Sequence, residues 1–369
     1  MKKKISIILP NLGGGGAEKN YLMLANDWSQ KGYTVEFVLL QKEGVFIKKL
    51  KKEILIYNLK VLKYRYSFFP ILKFLINSKS DVIIVNLWPL TSIALIINIL
   101  LFKKHNIIVH DHQILSKSYS KIFNNYRWYL SLSIKLIYPF SSGIIAVSNS
   151  VKKDLIKLGI KKELIKVINN PIQAPLPITK SNKADIFSMW GSNAKYKILS
   201  IGSLKYEKNF LNLINAFSLI KNKSNIKIAI LGEGSEKEIL NKEIEKLNLR
   251  KNIIMPGFIE NLNKWYASAD IYIITSIHEG FGNVVVEALS HGLPIIATRC
   301  GGPEEILENG KYGDLCIINN PKILSELILS NIQNLNKRKK EDLINRAKDF
   351  ELKIISNMYI KYIDKILTM

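Results

Sequence analysis

Cysteine is scarce in this chain, acidic residues are few, and no apolar run is long. Two cysteines in 369 residues, Cys300 and Cys316, exclude a disulfide framework and a four-cysteine metal site. Such sparse use fits a reducing compartment. The longest apolar stretch, Leu90 to Phe102, covers about 13 residues, short of the ~20 that a membrane-spanning helix needs. The start, Met1 to Pro10, has a basic front, but only about five apolar residues precede the proline and a glycine cluster. That is too little for a secretory signal. A soluble chain is expected, or one that lies on a membrane without crossing it. No repeat with a period of roughly 20–50 residues is evident.

The shortage of acid is uneven. Lys and Arg number 54 against 30 Asp and Glu, a formal net charge of +24. Residues 1–170 carry about 27 basic and 9 acidic side chains, or about +18, whereas residues 171–369 carry about 27 and 21, or about +6. A lysine-rich composition alone would load both halves alike, so the first half is expected to meet an acidic partner: anionic lipid, a phosphate-bearing substrate or nucleic acid. The last requires a recognised module, and none appears. At 47% hydrophobic content the chain is globular rather than disordered, and its length suits two domains.

Short apolar runs alternate with longer helical patterns. Strands are expected at Ile5–Leu9, Tyr33–Leu40, Val82–Asn86, Ile107–His110 and Gly143–Val147, with a helix from Ala17 to Lys31 after a glycine loop. Near-continuous apolar strands of this kind form parallel sheets covered on both faces. Three prolines between Pro171 and Pro177 then break the pattern and read as a linker. The alternation restarts with strands at Lys197–Ile201, Ile226–Leu231, Ile253–Met255, Ile271–Thr275 and Ile295–Ala297, and helices at Phe210–Ile220, Glu236–Leu247 and Asn283–His291. The expectation is an α/β protein of two doubly wound halves. Residues 1–170 form the first domain, 171–193 the linker and 194–351 the second domain, and a last helix over 352–367 packs back on the first. Ligands of such folds bind at the carboxyl ends of strands, so the two halves are expected to face a central cleft.

The most informative stretch is Ser276-Ile277-His278-Glu279-Gly280-Phe281-Gly282-Asn283, followed by Val284 to Leu289 and including Glu287. It leaves a strand and opens a helix. Glycines there let backbone approach a ligand, and free amides at the helix start suit a diphosphate. Glu279 and Glu287 bracket that cradle and are suited to sugar and ribose hydroxyls. At the other end of the chain, Gly13-Gly14-Gly15-Gly16 follows the first strand. It fails the dinucleotide fingerprint because Glu18 and Lys19 stand where a third glycine is needed, and it fits a plain phosphate-approach loop. His110-Asp111-His112 ends another strand, where a histidine is placed for ligand contact. The pair His110 and His112 remains open as to which faces the ligand. A zinc site built from them lacks further ligands at suitable spacing.

Glu279 and Glu287, set in His-Glu-Gly-Phe-Gly…Glu-Ala, resemble the signature of the GT-B glycosyltransferases, in particular the large retaining family four. Supporting stretches occur in the same order: Gly13 to Glu18, Ala146 to Ser150, Gly202 to Asn209, Gly232-Glu233-Gly234, Pro256-Gly257-Phe258 and Gly292-Leu293-Pro294. The resemblance covers nearly the whole chain. It implies a GT-B fold of two Rossmann-like domains, acceptor bound by the first and nucleotide-sugar donor by the second. Glu279 would approach the transferred sugar as a catalytic residue, with His112 or His110 bonding the sugar or its phosphate. Glu287 would hold the ribose. Phe281, Gly282 and Asn283 would offer backbone to the donor, as would Gly15 and Gly16. Lys208 would neutralise diphosphate charge, and Gly257, Phe258 and Ile259 would line the base pocket. The chain departs from the family at Ser203, where arginine is usual, leaving Lys205 and Lys208 as the cations near the leaving group.

No Asp-x-Asp pair is present, in agreement with metal-independent transfer in which lysine and a helix end replace a divalent cation; no cofactor beyond the nucleotide sugar is implied. The resemblance further implies retention of anomeric configuration by front-face attack. The activity expected is hexosyl transfer from a UDP- or GDP-sugar to a lipid-linked or surface-polysaccharide glycan, such as bacterial lipopolysaccharide or capsule. Lys48-Lys49-Leu50-Lys51-Lys52 and the stretch Lys60 to Pro70 interleave cations with apolar and aromatic residues, the composition of an interfacial segment. A cytoplasmic enzyme held on the inner face of the plasma membrane is therefore expected. The competing readings are a nucleotide-sugar epimerase of the same architecture and a non-catalytic nucleotide-sugar-binding subunit.

Overall fold

The structure, a computed structural model, describes residues 3–118, 127–175, 189–190 and 194–368. The chain divides into two compact units, Met1–Gln173 with Glu351–Met369, and Ala174–Phe350. Much of the expected linker, 176–188 and 191–193, lies outside the described residues.

In the first unit the order is β1 (Lys4–Leu9), α1 (Gly16–Gln30), β2 (Thr34–Leu39), β3 (Leu55–Asn58), α2 (Phe68–Asn77), β4 (Val82–Asn86), α3 (Leu90–Leu100), β5 (Ile107–Asp111), α4 (Leu115–Ser118), α5 (Arg127–Ile137), β6 (Gly143–Ala146), α6 (Asn149–Lys157) and β7 (Ile165–Val167). The seven strands form one sheet in the order β3-β2-β1-β4-β5-β6-β7, parallel throughout. Alternate residues of a strand point to opposite faces. Ile5, Ile7 and Leu9 join Val82, Ile84, Ile108 and Ile145 in a core closed by Tyr21, Leu24 and Trp28 of α1. The same core takes in Ile355, Tyr359 and Ile363 from the chain's last helix, Leu352–Leu367. The apolar stripe of that helix is thus buried among residues from the first half of the chain. It enters beside the other crossing segment, Leu352 N–H donating to Ile172 O at 3.1 Å.

In the second unit the order is β8 (Tyr196–Ile201), α7 (Phe210–Ser218), β9 (Ile226–Leu231), α8 (Lys237–Lys246), β10 (Ile253–Gly257), α9 (Asn263–Ser268), β11 (Ile271–Ile274), α10 (Asn283–Ser290), β12 (Ile295–Thr298), α11 (Gly302–Ile306), β13 (Asp314–Cys316), α12 (Pro321–Gln333) and α13 (Lys340–Lys348), before α14 (Leu352–Leu367) returns to the first unit. Six parallel strands run β10-β9-β8-β11-β12-β13. Each sheet contains the doubly wound 3-2-1-4-5-6 order. In each, the order reverses at the first strand, so the loops after β1 and β4, and after β8 and β11, open at a switch point.

Candidate active site

Hydrogen bonds to two neighbouring loops fix Glu279 and the segment that carries it. The segment leaving β11 is tied to the turn after β8, Thr275 Oγ1 donating to Lys208 O at 3.0 Å and Ile277 N–H to Glu207 O at 2.8 Å. Glu279 itself is held by the loop after β12: its N–H donates to Cys300 O at 2.8 Å and its carbonyl accepts from Gly302 N–H at 3.0 Å. The carboxylate forms an ion pair with Lys208, and Ser276 Oγ donates to it at 3.4 Å. Burial pulls the Lys208 amine down, but the Glu279 charge and hydrogen bond outweigh it and the net displacement is upward. Lys208 is therefore a cation at neutral pH. The nearby Cys300 thiol is pushed up to about 12 by burial and by Glu279, so it supplies no thiolate nucleophile.

Gly282 caps α10 at φ 102°, a left-handed conformation that favours glycine. Asn283 is the first residue of the helix, and Phe281 before it is buried edge-to-face against Phe350, with centroids 5.6 Å apart. That anchor holds the main chain of 281–283 at the amino end of α10, where amide groups and the dipole favour an anion. Glu287 lies one turn further on, so it shares a helix face with Asn283. It accepts from the Tyr266 hydroxyl at 2.9 Å. Tyr266 in turn stacks on His291, centroids 5.1 Å apart. Burial and then the Glu287 charge raise the Tyr266 hydroxyl well above its ordinary value; it stays a donor.

The loops after β8, β9 and β10 are laced together. Gly202 N–H donates to Leu231 O at 3.0 Å, Gly232 N–H to Gly257 O at 2.9 Å and Leu204 N–H to Glu233 O at 2.9 Å. Ser203 and Lys205 are exposed on the first of these loops, while Lys208 is half-buried. Gly257 is buried, Phe258 is exposed and Ile259 half-buried. The structure thus sets Lys208 against Glu279 and leaves Lys205 outward. Among the described residues no three His, Cys, Asp or Glu side chains converge as a metal site.

In the first unit, Gly15 caps α1, and both Gly15 and Gly16 are exposed at its amino end. At the end of β5, His110 is fully buried. Its Nδ1 lies 2.6 Å from the Tyr21 hydroxyl and its Nε2 3.3 Å from the Tyr359 hydroxyl of α14, so both ring nitrogens are engaged inside the fold. His112 stands two residues on, half-buried, its ring centroid 3.9 Å from that of His110. Burial pulls its imidazole down to about 3, so the ring is neutral. Its Nε2 lies 3.2 Å from Asn86 Oδ1, while Asn86 Nδ2 donates to Ile8 O at 3.3 Å. The Asn86 oxygen is thus the acceptor and His112 Nε2 carries the hydrogen. Nδ1 then bears a lone pair, and it has no partner among the described residues. Tyr266, Tyr21, Tyr359 and Asn86 have no local sequence motif that marks them as partners of site residues.

Models of two families match the chain: glycosyl transferases group 1 over residues 182–350 and glycosyltransferase family 4 over residues 14–174. A glycosyltransferase of Methanocaldococcus jannaschii of uncharacterised specificity is 28% identical, over 92% of this chain and 90% of its own length. The Campylobacter jejuni N-acetylgalactosamine-N,N'-diacetylbacillosaminyl-diphospho-undecaprenol 4-alpha-N-acetylgalactosaminyltransferase is 29% identical over 62% of both chains. Among solved structures, Anabaena HepE in complex with UDP and glucose superposes with a TM-score of 0.84 at 21% identity, covering 98% of this chain and 99% of that one. The two models between them take in the second sheet, all of the first sheet but β1, and the Glu279 and His112 loops, and the chain belongs to the family four glycosyltransferases, enzymes of the GT-B fold.

Proposed function

We propose that the chain moves a sugar, with retention, from a UDP- or GDP-linked donor to a lipid-linked or surface-polysaccharide glycan at the cytoplasmic face of the plasma membrane. The observation that carries this reading is the Lys208–Glu279 pair, Lys208 on the turn after β8 and Glu279 on the turn that opens α10, held by the loop after β12. The amides of 281–283 and Lys208 take the diphosphate, Glu287 the ribose hydroxyls, the backbone of Gly257, Phe258 and Ile259 the base, and Glu279 the transferred sugar. Gly15 and Gly16 offer amides of α1 to phosphate oxygen. His112 accepts a hydrogen bond from a sugar hydroxyl at Nδ1; His110 positions it through the ring contact. With Ser203 in place of the usual arginine, Lys208 carries the cationic share of leaving-group stabilisation.

In the transfer the bond from the anomeric carbon to the diphosphate breaks, the acceptor oxygen bonds to the same face of that carbon, and the acceptor proton passes to the departing phosphate oxygen. The protein contributes orientation and charge rather than a covalent partner. The donor class is supported by the UDP and glucose of the HepE complex, and the acceptor class by the diphospho-undecaprenol in the name of the Campylobacter relative. The basic first unit supports an anionic membrane as a partner.

The test is incubation of the full chain with labelled UDP- and GDP-sugars and a membrane lipid extract. Label in the lipid fraction is the expected result. An epimerised nucleotide sugar would replace this reading with an epimerase, and tight binding without turnover would replace it with a binding subunit.

A further inference from the structure

The helices α2, α3 and α5 stand side by side on one face of the first sheet, α3 touching both others. A surface helix normally turns polar residues outward, but α3 has no charged residue along its length. Most outward side chains of this layer are large and apolar. Phe69 is 76% and Ile76 50% exposed on α2, Leu100 60% and Phe102 95% at the end of α3, and Trp128 56% and Leu136 53% on α5. An apolar surface spread over three neighbouring helices is unusual on a water-facing protein and marks an interaction site.

Charge identifies the occupant. Between Ile54 and Lys153 the sequence has two carboxylates, Asp81 and Asp111, against 13 lysines and arginines. Asp111 is buried, and Asp81 accepts from the backbone N–H of Lys4 at 2.6 Å. Lys73, Lys103, Lys104 and Lys135 stand exposed among the apolar side chains, Lys103 over the Phe140 ring at 5.0 Å and Lys104 donating to Ile76 O at 2.7 Å. A second copy of this face would set lysine against lysine, a repulsive contact in a two-fold dimer. An anionic bilayer meets both features, headgroups for the lysines and acyl chains for the apolar residues. Trp128 and Tyr129, stacked at 3.5 Å, are the residue types that settle at headgroup depth.

We infer that the outer face of α2, α3 and α5 lies on an anionic lipid surface with its apolar side chains inserted below the headgroups. The inference rests on the proposed membrane partner and names the face and the contact. It moves the contact away from Lys48–Lys52, whose segment packs through Ile47 and Leu50 against the core on the opposite face of the sheet.

The full chain is sedimented with phosphatidylglycerol-containing vesicles whose acyl chains are brominated, in the absence of sugar donor. Trp28, Trp190 and Trp265 are buried, and Trp88 is half-buried, so Trp128 is the tryptophan within reach. Quenching is expected in the wild type and lost in Trp128→Phe, with sedimentation unchanged. Leu100→Ser with Phe102→Ser is expected to lower the vesicle partition constant by about 10-fold, the effect of roughly 1.4 kcal/mol of lost insertion, while leaving Tm unchanged. Sedimentation without quenching overturns the inference, and so does a double variant that binds like the wild type; in either case the transferase reading stands. Absence of vesicle binding removes both this face and the membrane partner. A dimer abolished by the double variant in lipid-free buffer assigns the face to a second copy and overturns the inference.

Discussion

Lys208 and Glu279 answer each other's charge, and each is also a group that the proposed function assigns to the substrate. Removing the negative charge at 279 while keeping its shape tests the role directly. Glu279→Gln is expected to lower transfer at least ~100-fold in a chain that still folds, because the backbone bonds that hold the loop remain, with Tm lowered by the loss of the Lys208 counter-charge; wild-type turnover would remove this residue from the chemistry. Tyr266→Phe deletes one hydrogen bond to Glu287 and is expected to raise KM for the donor up to about 10-fold with kcat little changed. A fall in kcat alone would place Glu287 elsewhere than at the ribose. Asp111 offers a test in pH. Burial pushes its carboxyl up to about 7, so the folded chain keeps a proton that the unfolded chain has already lost. The stability from this group is full below pH ~4 and is lost as pH rises toward 7, a difference on the order of 4 kcal/mol at pH 8. Asp111→Asn is therefore expected to raise Tm at pH 8 and leave it unchanged at pH 4; equal effects at both would mean that ionisation is not the cause.

Turns, rather than helices and strands, set the tolerances of this fold. A Cβ at Gly232 would lie 1.9 Å from the Gly202 carbonyl oxygen, at φ 144°. Gly32 has φ 90° but nothing within 4 Å. Gly232→Ala is expected to destabilise the second unit by more than about 2 kcal/mol, and Gly32→Ala the first by about 1 kcal/mol, as read by denaturant unfolding. Elements with a single local signal were legible in the sequence. Val82–Asn86 and Ile226–Leu231 read as strands with the bounds the structure has, because a strand covered on both faces is apolar throughout. The exposed edge strand β3 and the three-residue β13 were not legible, since neither is long or patterned enough to stand out. Lys60–Pro70 read as an interfacial stretch by composition; it forms a short turn at Tyr64–Tyr66 and then enters α2, whose first turn accommodates Pro70. The Glu279–Glu287 stretch was legible because a strand, a glycine turn and a helix lie consecutively. The partnerships of that stretch were not. Lys208 is 71 residues from Glu279, and Tyr266 comes from another helix. The closure of His110 by Tyr359, 249 residues away, was not legible either, because only the crossing of α14 brings that side chain to β5.

Across the whole chain, α14 is the element that makes the first unit depend on both ends of the sequence. Tyr359 closes on His110, and Trp28 Nε1 donates to Ser356 Oγ at 3.1 Å. The charge also divides by half, with the first 170 residues carrying about three times the net positive charge of the rest. On the proposed reading the lipid-facing helices lie in the first unit and Glu279 in the second, so Glu279→Gln is expected to bind vesicles like the wild type. The central claim is that a nucleotide diphosphate sits at the amino end of α10 between Glu279 and Glu287. Its most direct test is a crystal structure of the full chain with a UDP-sugar. Phosphate oxygen is expected within hydrogen-bond distance of the backbone at 282–283, with ribose hydroxyls on Glu287; a nucleotide bound with neither contact would overturn the assignment.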